Sequence, residues 1–306
     1  MKPTEDQYRG ALVGLALGDA LGAPHEGGPL ERLLWRILGS TRAGLRRFTD
    51  DTQMSVDVAL SLLSRGAVDQ DDLAARFSRS YRWDRGYGPG TAKILKRVRA
   101  GRNWREASRS VHPGGSLGNG AAMRSPVVGL FFQPRPEELP VAARLVAEVT
   151  HAHPLGMEGA VLIAGATAAA LECPDGLVLF DRTSRFSASA EFSTRLAQAR
   201  SWLEADRPVT PRQVRSALGM GITAPLSCVT ALYLAARFLR GSFEELLAFA
   251  AAAGGDVDTV GAMASAIWGA RNGLSKVSPH LVARVEEAST IGEVAGRLYA
   301  RAHAGN

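Results

Sequence analysis

Apolar residues recur along most of this chain every three or four positions, which is the repeat of an α-helix. Runs with a spacing of four are Met54, Val58 and Leu62; Leu139, Ala143 and Ala147; and Val260, Ala264 and Trp268. Runs rich in β-branched and aromatic residues are scarce, so the pattern predicts an all-α protein. Residues 172–207 have the weakest pattern, and we expect them to form a surface excursion.

Two of the predicted helices carry a stripe of very small residues at every fourth position. The stripes are Gly10, Gly14, Gly18 and Gly22, and Gly261, Ser265, Gly269 and Gly273. A glycine inside a helix costs about 1 kcal/mol relative to alanine, and close approach of a neighbouring backbone is the usual compensation. We predict that both helices are deeply buried and pack against each other. That contact would bring Asp19 and Glu26 near the acids that precede Gly261.

Composition adds limits to this picture. Of the 306 residues, 46% are hydrophobic and 22% are charged, which is typical of a globular protein. No linker or low-complexity tract divides the chain, so we expect one domain over residues 1–306. The two cysteines cannot make a disulfide framework or a thiolate zinc site. The N-terminus lacks a basic secretory segment, and the apolar stretch 11–23 is too short to span a bilayer, so we expect a cytoplasmic protein with no membrane partner. The oligomeric state is open, and a monomer is the default expectation.

The positive charge is concentrated in one segment. The chain has a net charge of +6, yet Arg and Lys exceed acids by more than that between Arg76 and Arg109. We interpret this segment as a solvated, arginine-rich surface. The alternative is a positive field that attracts an anionic ligand, including nucleic acid, with Tyr81, Trp83, Tyr87 and Trp104 interleaved. No nucleic-acid recognition motif is present, so we do not favour nucleic acid as a partner.

Acidic residues collect where loops meet predicted helices. They are Glu26, Asp50, Asp51, Asp256 and Asp258. Helix capping explains one carboxylate at a helix start, but two of these starts carry a pair. Since residues two apart in a helix point about 200° from each other, Asp256 and Asp258 can converge only if Asp256 lies in the turn that the two preceding glycines supply. Such an oxygen-only cluster suits Mg²⁺ or Mn²⁺, and mutual repulsion of five carboxylates makes two ions plausible.

A third motif is the glycine loop over residues 114–124, Gly-Gly-Ser-Leu-Gly-Asn-Gly-Ala-Ala-Met-Arg. Its backbone N–H groups could approach a phosphate, although a glycine loop is often only a turn and this one lacks the lysine of a P-loop. Downstream, His151 and His153 could bind zinc, but no third ligand is evident. We favour structural histidines or one contact with substrate.

Together these segments resemble the ADP-ribosylglycohydrolase family, which includes dinitrogenase reductase-activating glycohydrolase and other ADP-ribosyl-acceptor hydrolases. The resemblance runs in the family's order from about residue 9 to residue 273. It rests on Gly-Ala-Leu-Val-Gly-Leu-Ala-Leu-Gly-Asp-Ala-Leu-Gly-Ala-Pro-His-Glu, Phe-Thr-Asp-Asp-Thr-Gln-Met, Arg-Gly-Tyr-Gly-Pro-Gly-Thr, Gly-Asn-Gly-Ala-Ala-Met-Arg, Thr-His-Ala-His-Pro and Gly-Gly-Asp-Val-Asp-Thr-Val. It implies an all-α, multi-helix orthogonal bundle with two Mg²⁺ or Mn²⁺ ions at the base of a cleft.

The resemblance also implies roles for individual residues. The metal ligands would be Thr49, Asp50, Asp51, Asp256, Asp258 and Thr259. The substrate-binding residues would be Gly115, Ser116, Gly118, Asn119, Gly120, Met123 and His151. Either Glu26 or Asp51 would handle the proton, and the sequence does not choose between them.

The expected activity is metal-assisted hydrolysis of the glycosidic bond at the distal ribose of ADP-ribose, releasing it from a modified acceptor. ADP-ribosyl-arginine on protein is the expected substrate, by analogy with bacterial members. The alternatives are ADP-ribosyl-serine, a small ADP-ribose conjugate, a modified nucleic acid, another phosphorylated or nucleoside-like substrate, and a non-catalytic role in ADP-ribose binding. Because every acid of the pattern is present, we do not favour the non-catalytic alternative.

Overall fold

The regular structure of this protein is helical. The computed structural model describes residues 2–28, 33, 35, 37–205 and 207–304. Within those ranges, pairing of extended segments is limited to isolated bridges, so the all-α prediction is confirmed. The helices are α1 (Glu5–Gly22), α2 (Asp50–Arg65), α3 (Gln70–Ser80), α4 (Pro89–Arg99), α5 (Trp104–Val111), α6 (Ser125–Phe132), α7 (Leu139–Glu148), α8 (Pro154–Ala170), α9 (Gly176–Ser184), α10 (Ala190–Glu204), α11 (Pro211–Ala217), α12 (Ala224–Arg237), α13 (Phe243–Ala253), α14 (Val257–Asn272), α15 (Pro279–Val282) and α16 (Ala288–Ala302).

The two glycine-striped helices, α1 and α14, form the most extensive helix pair in the core. Their backbones touch along the whole stripe. A Cβ added at Gly14 would lie 2.8 Å from the carbonyl oxygen of Ser265, and one at Gly22 would lie 2.7 Å from the Cα of Asp258. Both helices are buried on nearly every face. The predicted pairing is therefore confirmed, and it explains why glycine is present where alanine would be the better helix former.

The other helices cover this pair. Helix α16 packs on α1, while α12 and α13 pack on α14. Helix α8 is a second buried centre that contacts α6, α7, α12 and α14. The three apolar runs predicted to face the core, on α2, α7 and α14, are all buried.

The expectation of a surface excursion over residues 172–207 is wrong. Most of the segment forms α9 and α10, and α10 packs on α12. Phe180, Phe192 and Trp202 are buried. The apolar positions are widely spaced between charged residues, so the pattern is weak in sequence, yet a few large side chains are enough to bury one face of a helix. None of the described helices is both long and apolar enough to cross a membrane.

Candidate functional site

A cavity of about 460 Å³ opens where the ends of α1, α2 and α14 meet the glycine loop. It brings together most of the residues predicted for the site. Those that line it are Glu26, Asp50, Asp51, Ser116, Gly118, Asn119, Gly120, Met123, His151, Asp256, Asp258 and Thr259. A larger groove beside Trp202, Tyr233 and Arg237 contains none of them, so size does not identify the functional cavity here.

Three carboxylates converge at the base of this cavity. One oxygen each from Glu26, Asp256 and Asp258 lies within 4.8 Å of the others. Glu26 follows the short turn that ends α1, whereas Asp256 and Asp258 stand at the start of α14. Gly254 and Gly255 have φ values of +66° and +89°, which glycine adopts without strain. This is the glycine turn that the sequence requires for the two aspartates to converge.

A fourth acid, Asp19, holds the start of α2 in place. Its carboxylate is fully buried and accepts hydrogen bonds from the backbone N–H of Thr49 and Thr52, both at 3.0 Å, and from the Thr52 hydroxyl at 2.5 Å. Because Asp19 lies on α1, these bonds tie α1 to α2 and direct Asp50 and Asp51 into the cavity. The Thr49 hydroxyl accepts from the Asp51 N–H at 3.2 Å and does not line the cavity.

Burial and mutual repulsion raise the pKa values of the clustered acids. For Asp51 the main cause is burial, followed by the charges of Asp19 and Asp50. For Asp258 it is again burial, followed by Glu26 and Asp256. The pKa of Asp50 is also raised, first by burial. Each carboxylate disfavours the ionised form of its neighbours, as expected when like charges share a low-dielectric site.

The donor set fits a hard divalent cation. Every acid of the cluster offers oxygen, and Oδ2 of Asp51 is buried with no hydrogen-bond partner. A buried oxygen without a partner is costly. Coordination to Mg²⁺ or Mn²⁺ would satisfy it and would also relieve the repulsion between the carboxylates.

The glycine loop is joined directly to the acid cluster. Nδ2 of Asn119 donates to Oδ2 of Asp256 at 2.5 Å and to Oγ of Ser227 at 3.1 Å, and the Asn119 N–H donates to the carbonyl of Ile222 at 2.9 Å. Asn119 therefore orients an acid of the cluster, a contact that the sequence does not reveal. Gly115 lies outside the cavity lining, where it packs on the backbone of Ala152 and His153.

Residues 86–91, His112 and Ile222 also line the cavity. The first of these belong to the Arg-Gly-Tyr-Gly-Pro-Gly-Thr motif of the family resemblance, to which no individual roles were given in the sequence analysis, whereas His112 and Ile222 were not singled out there. Tyr87 is fixed there because its hydroxyl donates to Oε1 of Gln53 at 3.0 Å and its ring meets that of Tyr81 edge-on. The signal for Tyr87 was its place in that motif. His112 and Ile222 carry no comparable signal.

The arginine-rich segment is mostly a solvated surface, as expected, since eight of its eleven Arg and Lys residues are exposed. Arg85 is buried and pairs with Glu286, Arg76 pairs with Asp72 at 2.6 Å, and Trp104 is buried. Trp83, by contrast, is 78% exposed. Most of the positive charge of this segment therefore faces solvent, and Arg85 is its buried exception.

Comparisons with known proteins agree with the site. A family model described as ADP-ribosylglycohydrolase matches residues 1–306. The chain is 32% identical to ADP-ribosylhydrolase ARH3 of Danio rerio, over 96% of this chain and 90% of that one. It is also 32% identical to ADP-ribosylhydrolase ARH3 of Homo sapiens, over 89% and 86%. A solved structure described as an ADP-ribosylglycohydrolase-related protein complex matches with a TM-score of 0.75 and 28% identity, over 99% and 100%.

These matches cover nearly the whole chain, including the paired glycine helices and both acid motifs. They confirm the resemblance that the sequence motifs indicate. The protein is an enzyme that belongs to the ADP-ribosylglycohydrolase family.

Proposed function

We propose that this enzyme hydrolyses the glycosidic bond between the distal ribose of ADP-ribose and an acceptor, with two divalent cations bound by the acid cluster. The main support for the proposal is that one cavity contains both a carboxylate cluster spaced to hold a metal ion and a glycine loop. Cations bound by the carboxylates could hold the ribose hydroxyls. The backbone N–H groups of the loop could bind the diphosphate.

The metal ligands we propose are Asp50, Asp51, Asp256, Asp258 and Thr259, with Thr49 as an indirect contributor through its bond to Asp51. Glu26 joins Asp256 and Asp258 closely enough to act as a ligand too. When bound, the cations would supply Lewis acidity and orient a water. Two points differ from the sequence-based prediction. Thr49 is no longer a direct ligand, and Glu26 lies close enough to Asp256 and Asp258 to be one.

The chain's own groups then account for the rest of the chemistry. Bond cleavage builds positive charge on the anomeric carbon, which the surrounding carboxylates stabilise. Glu26 and Asp51 both line the cavity, and one of them would take the proton of the attacking water on a carboxylate oxygen that is not bound to a cation and pass it to the leaving acceptor. Ser116, Gly118, Gly120 and Met123 would hold the diphosphate and ribose against the loop.

The acceptor expected from sequence was arginine, by analogy with bacterial family members. The relatives reported above instead carry the name ADP-ribosylhydrolase ARH3, so they give no support to a preference for arginine. We propose ADP-ribosylated protein or a small ADP-ribose conjugate as substrate, with serine-linked and arginine-linked ADP-ribose as the two linkages to compare.

The test is release of free ADP-ribose from arginine-modified and serine-modified protein, with Mg²⁺, with Mn²⁺ and with a chelator. Cation-dependent release from either substrate is the expected result. The Asp258→Asn variant should lose the activity. Asp175→Asn is the matched control, because Asp175 caps α9 away from the cavity and asparagine caps equally well.

Two outcomes of that assay would contradict the proposal. Release that persists in the chelator would remove the role of the cations. Failure to release ADP-ribose from either substrate, despite tight binding of ADP-ribose, would indicate a binding protein or a different acceptor.

A further inference from the structure

Arg124, at the end of the glycine-loop motif, is a fully buried arginine that forms no ion pair with any described carboxylate. Its guanidinium is used for hydrogen bonds instead. NH1 donates to the carbonyl of Gly120 at 2.7 Å, and NH2 donates to the carbonyl of Val146 at 2.9 Å. The guanidinium also lies over the ring of Phe77, 5.0 Å from its centroid. A buried cation without an acid partner is costly, so its contacts call for an explanation.

A third bond leads from Arg124 to the cavity. NH2 also donates to Oγ1 of Thr150 at 2.9 Å, and the same Oγ1 lies 2.7 Å from Nδ1 of His151. A guanidinium can only donate, so Thr150 accepts from it. Among the described residues, Nδ1 of His151 is the one acceptor recorded for the hydroxyl proton of Thr150, so this proton is satisfied only if Nδ1 is the acceptor. A neutral imidazole with an acceptor at Nδ1 carries its proton on Nε2.

The Nε2 atom of His151 faces the glycine loop. It lies 3.2 Å from the position that a Cβ would take on Gly118 and 2.9 Å from that on Gly120, and His151 lines the cavity. The proton on Nε2 therefore points toward the glycine loop, where an oxygen atom of the ligand would lie. Arg124 also donates to the carbonyl of Gly120. This one side chain therefore fixes both the conformation of the glycine loop and the orientation of His151 beside it.

We propose that Arg124 is a positioning residue that acts through Thr150 to hold His151 as the Nε2–H tautomer, so that His151 donates a hydrogen bond to a ligand oxygen and takes no part in proton transfer. The identity of the ligand as ADP-ribose rests on the proposed function, whereas the assignment of the His151 tautomer does not. His151 thus has a different role from Glu26 and Asp51, one of which handles the proton.

The surroundings keep His151 neutral. Burial first, then electrostatic repulsion from Arg124 and from His112, lower the pKa of His151 to about 3. Burial lowers the pKa of Arg124 to about 9, so this residue stays cationic at neutral pH. The tautomer should consequently persist between pH 5.5 and pH 8.

The experiment is ¹⁵N-histidine NMR of the full chain, in which long-range ¹H–¹⁵N couplings distinguish the two tautomers. The His151→Asn variant identifies the signal. We expect the Nε2–H pattern, unchanged between pH 5.5 and pH 8. Thr150→Val should give a mixture of tautomers and weaken ADP-ribose binding about tenfold by calorimetry. Thr150→Ser keeps the hydroxyl and should restore both.

The matched control is Thr167→Val. Thr167 is equally buried and also loses a hydroxyl bond, to the carbonyl of Ile163, but it does not line the cavity, so tautomer and affinity should not change. An Nδ1–H pattern in the unmodified protein would overturn the proposal, as would a Thr150→Val variant with normal tautomer and normal affinity. The Nε2–H pattern in a protein that binds no ADP-ribose would support the tautomer assignment and overturn the proposed function.

Discussion

At the scale of single residues, Asp19 is a buried acid whose role is to hold other acids in place. Its carboxylate receives the N–H groups of Thr49 and Thr52 and the Thr52 hydroxyl. In Asp19→Asn, an N–H group would replace one of the two accepting oxygens and face the Thr49 N–H, and the charge that strengthens all of these hydrogen bonds would be lost. We expect a loss of about 2 to 3 kcal/mol in the free energy of unfolding, measured by urea denaturation. Thr52→Ser retains the hydroxyl and should lose less than Asp19→Asn does; equal losses would contradict this explanation.

A second residue-scale prediction concerns Asp258, which lies among like charges that raise its pKa. Asp258→Asn removes one of those charges, so the cation-free protein should become more stable, by about 1 kcal/mol. The same change removes a proposed ligand, so Mg²⁺ or Mn²⁺ should stabilise the variant much less than the unmodified protein. Thermal unfolding in chelator and in Mg²⁺ measures both effects. A variant that is destabilised in chelator would show that Asp258 supports the fold rather than the cations.

At the scale of helices, the contact between α1 and α14 leaves no room for side chains. A Cβ on Gly18 would overlap the backbone of Gly261. We expect Gly18→Ala to destabilise the protein by about 3 kcal/mol, despite the better helix propensity of alanine. Gly114→Ala is the control, since nothing lies within 4 Å of its added Cβ, and its effect should stay within about 0.5 kcal/mol. Similar denaturation midpoints for the two variants would contradict the close packing.

The Arg85–Glu286 pair connects three separate segments. Arg85 donates to the carbonyl of Phe48 at 2.6 Å and pairs with Glu286, which in turn accepts from the Phe48 N–H at 3.1 Å. Removing one partner leaves a buried charge, so Arg85→Met or Glu286→Gln should each cost about 3 kcal/mol or more. The double variant should cost clearly less than the sum. Strict additivity in this double-mutant cycle would show that the two side chains act independently.

At the scale of the whole molecule, the acid cluster makes stability depend on pH when cations are absent. Burial raises the pKa of Asp19 from 3.8 to about 6, and those of Asp51 and Asp258 are raised as well. The folded protein therefore holds protons more tightly than the unfolded chain. This stabilisation is complete below about pH 4 and is lost as the pH rises through 6 and above.

We accordingly expect the melting temperature in chelator to fall by about 5 °C or more between pH 5.5 and pH 8. Saturating Mg²⁺ or Mn²⁺ should reduce that fall. His151, whose pKa is lowered to about 3, opposes this fall between pH 5.5 and about pH 7, but several acids of the cluster act against this one histidine. Asp84, whose pKa is lowered to about 2, has the opposite dependence only below about pH 4. A melting temperature that rises with pH in chelator would contradict the electrostatic description of the site.

Much of the architecture could be predicted because it follows from local patterns. The small-residue stripes imply the α1–α14 contact, and the glycine turn before Asp256 implies the convergence of two acids. The contacts of Asn119, Arg124 and His112 could not be predicted, because they depend on how loops from distant segments lie across one another. The monomeric state, the single domain and the individual site roles stay predictions.

The pairing of α1 with α14 also has a consequence for synthesis of the chain. A ribosome adds about 5 to 20 residues per second, and roughly 230 residues separate the two helices, so α1 waits tens of seconds for its partner. During that time an apolar, glycine-striped helix has nothing to cover it. Nascent chains of this protein should therefore depend on chaperones until α14 emerges, and a stop codon before residue 257 should yield aggregated rather than partly active protein.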